Sequence, residues 1–225
     1  MFAFALEGGW THFFRSEDES ACAAFEECLR LQRAGGERHL VIRAMVGLAQ
    51  VLVALGRTDE AKPMAREIIE FAETNNDKRS QHFGWHYLAD CELILGNCTE
   101  SLKLYKQSLV LANAIGDKVE ISFEVQGVAM SLAGLGLADL AEENRSDVSE
   151  SPLLGVAIQL AGAVNAEWDR LGADIHVRFW DALLDRYLGA ARRTLETEVA
   201  EMESNKGTTL LFDDAVKLAL EVEVG

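Results

Sequence analysis

The chain has 225 residues and a formal net charge of −16, and 49% of its residues are hydrophobic against 26% charged. This balance is typical of a globular chain with a sizeable core and excludes an intrinsically disordered one. The acidic excess disfavours direct binding to nucleic acid or to an anionic membrane, because both need clustered basic residues. With only two prolines, Pro63 and Pro152, long helices are expected.

Apolar residues at helical spacing predict seven helices in the first 142 residues. In chain order they are expected near Phe2–Arg15, Ser20–Ala34, Glu37–Leu55, Thr58–Thr74, Lys78–Leu95, Thr99–Ile115 and Lys118–Glu142. The sequence allows the seventh helix either to stop at Gly136 or to continue to Glu142. The polar stretch 142–152 contains Ser, Asn, Asp and Pro and predicts a loop. A further long helix is expected from about Leu153 to Leu171.

Turn residues recur at a fixed interval of 40 positions along the chain: Gly56, Gly96 and Gly136, with Ser16 one interval earlier. Packing positions follow the same register, with Phe25, Ala65 and Tyr105 as one set. A helix that ends at glycine, followed by a second helix, forms a pair that cannot bury its apolar face alone, so pairs stack. The repeat predicts an all-α solenoid of about four helix pairs.

These positions resemble the tetratricopeptide repeat (TPR) family, whose usual period is about 34 residues. The residues that carry the resemblance are Leu48, Gly56, Ala61, Ala65, Ile69, Leu88, Gly96, Tyr105 and Leu109. The resemblance implies a TPR-like α-α superhelix over 1–172 with repeats near 2–36, 37–76, 77–116 and 117–172. Residues 173–225 are expected to form a C-terminal helical capping segment.

The 40-residue register is lost beyond Gly172. The stretch "DIHVRFWDALLDRYLGAARRTL" predicts an amphipathic helix, and "LFDDAVKLALEVE" predicts a short final helix. Between them, "ETEVAEMESNKGTT" is acidic and polar and predicts a partly mobile connection.

The order of "QLAGAVNAEWDRLG", "FWDALLDRYLGAARRTL" and "LLFDDAVKLALE" is similar to the C-terminal ends of large bacterial signal-transduction ATPases of the STAND class. That class includes predicted ATPases and LuxR-type and SARP-type transcriptional regulators. The resemblance implies that the chain is a sensor or scaffold region of a signalling or transcriptional regulator. Its partners would then be a protein or peptide, or the other domains of the larger regulator.

Sequence motifs for catalysis are lacking. No Gly-x-x-x-x-Gly-Lys-Ser/Thr phosphate loop and no Gly-x-Ser-x-Gly nucleophile elbow occurs in the chain. His82, His86 and Asp90 lie at i, i+4 and i+8, so a metal-dependent enzyme is a weaker alternative, but no His-Glu-x-x-His motif accompanies them. We therefore expect a non-enzymatic chain without cofactor or metal.

In a TPR the first helix of each pair lines the concave surface, so the resemblance implies a groove there that captures a peptide or effector. Aromatic anchors with a few polar groups suit such a surface. The predicted groove residues are Arg43, Gln50, Phe83, His86, Asp90, Phe123, Gln126 and Met130, with Trp10 and Phe13 at the inner positions of the first helix. The alternative use of the repeats is self-association, in which exposed repeat ends pair as a homodimer.

The four cysteines are Cys22, Cys28, Cys91 and Cys98, and none forms a C-x-x-C pair. Each lies in a helical pattern, where a free cysteine behaves as a small apolar residue. A reduced, cytoplasmic chain is expected. No run approaches the ~20 apolar residues of a membrane span, so no membrane association is expected.

Overall fold

A computed structural model describes residues 2–35, 38–142 and 151–224, and every regular element in these ranges is helical. The all-α prediction is therefore confirmed. The first eight helices are α1 (Phe2–Phe14), α2 (Asp18–Gly35), α3 (Arg38–Ala54), α4 (Thr58–Asn75), α5 (Lys78–Ile94), α6 (Cys98–Ile115), α7 (Lys118–Glu142) and α8 (Pro152–Leu171). Their bounds agree with the predicted helices to within a few residues. Most of the predicted loop at 142–152 lies outside the described residues, which resume at Ser151.

Helices α1 to α8 each pack against the next helix in the chain, as expected for a stack of helix pairs. The odd-numbered helices also contact one another, α1 with α3, α3 with α5 and α5 with α7. We call these four helices the inner layer. Because the first helices of successive pairs approach each other, side chains on their shared face converge.

The recurrent turn residues adopt the left-handed backbone conformation that the repeat predicts. Ser16, Gly56 and Gly96 have φ angles of 58°, 70° and 83°, and each separates the two helices of a pair. Gly136 is different, since α7 continues through it to Glu142. The seventh helix therefore does not stop at the fourth turn position, and the register ends inside α7.

Packing between pairs follows the same 40-residue register. Phe25 of α2 and Tyr105 of α6 are fully buried, and each ring lies so close to a glycine of the next helix, Gly47 or Gly127, that a Cβ atom there would overlap it. In the middle repeat the sizes are reversed. Ala65 occupies the register position of Phe25 and Tyr105, Tyr87 occupies that of Gly47 and Gly127, and both residues are buried. The register thus keeps one large and one small residue at each junction, which preserves core volume.

The chain beyond α8 forms α9 (Arg178–Leu184), a π-helical turn (Asp185–Gly189), α10 (Ala190–Thr194), α11 (Thr197–Thr209) and α12 (Phe212–Glu221). The amphipathic helix begins at Arg178, later than predicted. The prediction of a partly mobile connection was wrong over 197–209, because α11 is a regular helix.

Close backbone contact explains why the polar sequence of α11 is ordered. Gly207 of α11 lies against the carbonyl of Gln159 in α8, and Gly162 of α8 lies against the carbonyl of Ser204. A Cβ atom at either glycine would overlap that oxygen. Two small residues therefore allow α8 and α11 to pack closely without a strongly apolar stripe.

By length and composition alone, Lys118–Ala141 of α7 passes for a membrane span, but 72% of its most apolar window is buried in the fold. The helix is apolar because α5, α6 and α8 cover it. It is a central core helix. Burial also accounts for the four cysteines, which are free thiols within the core.

Candidate ligand-binding cavity

The inner layer, α9 and the segment leading into it line a solvent-accessible cavity of about 340 Å³. That volume lies at the lower end of the range for small-ligand pockets. Its walls are mostly aromatic, and its lining residues are Trp10, Phe13, Phe14, Gln50, Phe83, His86, Tyr87, Val119, Glu120, Phe123, Ile175, Val177, Phe179 and Trp180. Each odd-numbered helix of the first four pairs contributes, so the stacking of the repeats creates the cavity.

The chain itself occupies part of the inner layer beside this cavity. Trp180 of α9 is buried, its indole Nε1 donates a hydrogen bond of 2.8 Å to Gln126 Oε1, and its ring lies 5.4 Å from that of Phe123. Farther along, the Tyr187 hydroxyl donates to the Leu93 carbonyl at 2.6 Å. The groove predicted as open along its length is therefore covered by α9 and the π-helical turn, and the open space lies towards α1.

A buried polar cluster lies behind the cavity wall, between α5, α6 and α7. One carboxylate oxygen of Glu124, Oε1, is 2.8 Å from His82 Nε2 and 2.8 Å from His86 Nδ1. On the other side of His86, Nε2 lies 3.4 Å from Asp90 Oδ2, while Tyr105 donates its hydroxyl to Asp90 Oδ1 at 2.5 Å. The cluster links α5 to α6 and to α7 through charge-assisted contacts.

These contacts alter the acid–base properties of the cluster. Burial disfavours the charged form of His86, but two carboxylates outweigh it and raise the pKa of His86 to about 10. Burial also opposes ionisation of Glu124, yet His86 and His82 lower its pKa to about 2. At Asp90 burial prevails over the attraction of His86 and raises the pKa to about 6. The Glu124–His86 pair is therefore ionised at neutral pH.

The geometry favours a structural role for this cluster over a metal site. His82 and His86 both bond to Glu124 Oε1, and Tyr105 bonds to Asp90 Oδ1, while Glu124 Oε2 and Asp90 Oδ2 are buried without a hydrogen-bond partner. Within the described ranges, no group of three or more His, Cys, Asp or Glu residues is arranged to hold a metal ion. The i, i+4, i+8 spacing of His82, His86 and Asp90 therefore places the three side chains in a buried hydrogen-bonded network.

Glu120, one turn before Glu124 on α7, is the acidic residue that faces the cavity. It is half-buried, and none of the described residues gives its carboxylate a hydrogen bond or an ion pair. Burial raises the pKa of Glu120, while His82 and His86 attract its charged form. A partly desolvated carboxylate without a bonding partner is an expected feature of a binding site.

The predicted groove residues divide into three groups. Gln50, Phe83, His86 and Phe123 line the cavity, together with Trp10 and Phe13. Asp90, Gln126 and Met130 are buried and do not line it; Tyr105 of α6 bonds to Asp90, and Trp180 of α9 bonds to Gln126. Arg43 is exposed and lies outside the cavity lining. A binding role for all eight stays a prediction.

Several lining residues were not predicted from the sequence. Phe14 and Tyr87 flank predicted anchors on the same helices, and Glu120 precedes Phe123 by one turn. Val119 of α7 also lines the cavity, and the remainder come from the chain just before and within α9: Ile175, Val177, Phe179 and Trp180. The apolar stripe of α9 was visible in the sequence, but the face of the solenoid that it covers was not.

A model of the tetratricopeptide repeat family matches residues 11–74, from the end of α1 to α4. No curated protein matches the chain. The family match agrees with the paired helices and supports a TPR-like solenoid, and repeats of this family generally mediate protein–protein interactions. The match does not reach the cavity wall formed by α5, α7 and α9.

Proposed function

We propose that this chain is a non-enzymatic protein-interaction module that holds a segment of a partner in the aromatic cavity of the inner layer. The observation that carries the proposal is the cavity itself, in which aromatic walls from α1, α5, α7 and α9 surround the polar groups of Gln50, His86 and Glu120. Phe14, which also lines it, is 67% exposed and is therefore accessible to a partner.

In such a site, different side chains determine the affinity for the bound segment and its orientation. Aromatic side chains supply most of the binding energy at protein interfaces, while a few polar groups fix the orientation of the bound segment. The net charge of −16 favours neutral or basic partners through long-range attraction and disfavours nucleic acid.

The proposal extends to the setting of the module. The C-terminal third resembles the ends of STAND-type ATPases and LuxR-type or SARP-type regulators, so we place the module in a cytoplasmic bacterial regulator as its sensor or scaffold region. A bound partner would favour one arrangement of the inner layer and α9, and this arrangement would bias an attached output domain.

The test is selection of binding peptides from a random display library on the immobilised protein, followed by affinity measurement for the selected peptides. Phe83→Ala should weaken their binding by about 1–3 kcal/mol if Phe83 is an anchor. Val110→Ala is the matched control, because Val110 is 55% exposed on α6, outside the cavity lining. Equal binding by both variants, or a failure to select any peptide, would refute the proposal.

Self-association is a second candidate, favoured by the exposure of Phe14 on α1, which packs at one end of the stack. If α1 pairs with a second copy, light scattering should give a dimer mass that Phe14→Ser reduces to that of a monomer. A monomer at all concentrations would exclude this use of the surface and leave the cavity accessible to another protein.

A further inference from the structure

We propose that the group held in the cavity is the guanidinium of an arginine side chain, presented by the partner segment. This inference rests on the proposed function and specifies its ligand. Three features of the cavity carry it: aromatic walls, a single unpaired carboxylate, and a buried acidic cluster behind the wall.

The aromatic walls can hold a cation. Trp10, Phe13 and Phe14 come from α1, facing Phe83 of α5 and Phe123 of α7. The faces of aromatic rings attract cations electrostatically, and the attraction grows as the site loses water. A guanidinium is planar and weakly hydrated, so it stacks on such rings more readily than an ammonium group does.

Glu120 supplies the opposite charge. Among the described residues that line the cavity, it carries the sole carboxylate, and neither lysine nor arginine is present. Two carboxylate oxygens match the forked donors of a guanidinium, which can bind both at once. A neutral apolar occupant would instead bury Glu120 further without a partner, which is unfavourable.

The residues behind the wall reinforce this choice. His86 lines the cavity, but its positive charge is held between Glu124 and Asp90 and is balanced by them. Glu120 and Glu124 interact with His82 and His86, and Asp90 interacts with His86, so in this described cluster three carboxylates face two histidines. The local field is therefore unfavourable for an anionic ligand and favourable for a cation.

The probe is a synthetic peptide, acetyl-Gly-Leu-Arg-Leu-Gly-amide, titrated into the full chain while the tryptophan indole resonances are followed by NMR. The matched peptide carries citrulline in place of arginine, since citrulline keeps the planar shape and removes the charge. A lysine peptide tests whether charge alone suffices. We expect the arginine peptide to bind at least about tenfold more tightly than the citrulline peptide, and more tightly than the lysine peptide.

Glu120→Gln should raise the dissociation constant of the arginine peptide by about tenfold and leave that of the citrulline peptide unchanged. Glu73→Gln, an exposed acid on α4, is the control for net charge and should have little effect. Circular dichroism confirms that each variant is folded. No binding of the arginine peptide, equal binding of the citrulline peptide, or no effect of Glu120→Gln would each overturn the inference.

The two proposals fail in distinguishable ways. If displayed peptides bind through Phe83 but neither contain arginine nor depend on Glu120, the interaction module stands and the guanidinium assignment is wrong. If no displayed peptide binds while the arginine peptide does, the cavity recognises guanidinium groups without taking a longer protein segment.

Discussion

The repeats of α1–α6 and the C-terminal region from α8 onwards are both helical, but different kinds of information determine them. In the repeats, a turn residue with positive φ recurs every 40 positions, and buried large and small residues follow in the same register. In the C-terminal region, α8 and α11 meet at two close glycine contacts, at Gly162 and Gly207, that do not follow the register. Periodic sequence thus determines the repeated layer, and individual contacts determine how the rest of the chain covers it.

Helix α7 is the boundary between the two regions, and its glycines show the change. Gly96 occupies a turn and has a φ angle of 83°. Gly136, at the equivalent register position, is helical, and a Cβ atom added to it would lie only 2.9 Å from the Leu154 side chain of α8. The same residue type serves to reverse the chain in one region and to admit a neighbouring helix in the other. The cavity forms at this boundary, where α7 and α9 meet the repeats.

The largest expected effect comes from breaking the buried link between the repeats and α7. Glu124→Gln removes the charge that holds His82 and His86, and should lower the free energy of unfolding at neutral pH by about 3 kcal/mol or more. Glu60→Gln, which removes an exposed carboxylate paired with Arg57, is the control and should have little effect. Urea denaturation of both variants provides the measurement.

The pH dependence of the Glu124→Gln effect gives a second test. The pKa of Glu124 is lowered from 4.5 to about 2, so its stabilisation is complete above about pH 4.5 and lost as pH falls towards 2. The pKa of His86 is raised from 6.5 to about 10, so its stabilisation is complete below about pH 6.5 and lost as pH rises through 10. Burial raises the pKa of Asp90 from 3.8 to about 6, so ionisation of Asp90 destabilises the fold as pH rises through this range.

The difference between wild type and Glu124→Gln should therefore be largest between about pH 4.5 and 6.5, and smaller at pH 3 and pH 10. Glu120, Tyr105 and His82 also face this cluster, so the comparison uses differences between the two proteins and not absolute stabilities. A difference that is constant across pH would show that the pair is not ionised in the folded protein.

The next largest effect is expected from a substitution that disrupts the packing of α11 against α8. Gly207→Val should destabilise the C-terminal region by about 2–3 kcal/mol, because the new side chain would overlap the backbone of Gln159. Gly155→Ala is the matched control in α8, where the nearest atoms lie 3.7 Å from the added Cβ, so it should be neutral or slightly stabilising. Equal melting temperatures for the two variants would contradict the close packing of these helices.

A turn substitution tests the repeat side of the comparison. Gly96→Val should lower the free energy of unfolding by more than ~1 kcal/mol, because a β-branched residue resists the left-handed conformation. Gly96→Asn should cost less, since asparagine tolerates that conformation, as Asn76 does at the end of α4. If both variants have the stability of the wild type, the left-handed conformation at Gly96 is not required for the stability of the fold.

The features that recur in every repeat were predictable from the sequence. The turns at Gly56 and Gly96 were predictable because glycine at a fixed interval identifies helix ends. Half of the predicted groove residues line the cavity, since position along a first helix determines which way a side chain faces. The order of α11 was not predictable, because its packing depends on two glycines that are distant in sequence.

The cover over the groove was missed for a related reason. Trp180 and Tyr187 belong to an apolar stripe, and the sequence does not show which surface such a stripe packs against. Their hydrogen-bond partners, the Gln126 side chain and the Leu93 carbonyl, are distant in sequence and are brought together only by the fold. Asp90, Gln126 and Met130 are consequently buried where a groove surface was expected. Long-range pairings of this kind leave no periodic signal.

The smallest expected effect concerns the contact between Arg178, at the start of α9, and Asp18, at the start of α2. Arg178 is 68% exposed and Asp18 8% exposed, so the pair is only partly shielded from water and should contribute under ~1 kcal/mol to stability. Arg193→Ala is the matched control, because its exposed partner Asp185 lies within the same C-terminal segment.

Arg178→Ala should nevertheless destabilise the protein more than Arg193→Ala, since it leaves the buried carboxylate of Asp18 without its partner. Asp18→Asn in the Arg178→Ala background should recover part of the loss, because the unpaired charge is then removed. A double-mutant cycle by urea denaturation measures this coupling. Zero coupling would mean that Asp18 and Arg178 do not hold α9 to the repeats, and that Trp180 and Tyr187 alone keep the segment over the inner layer.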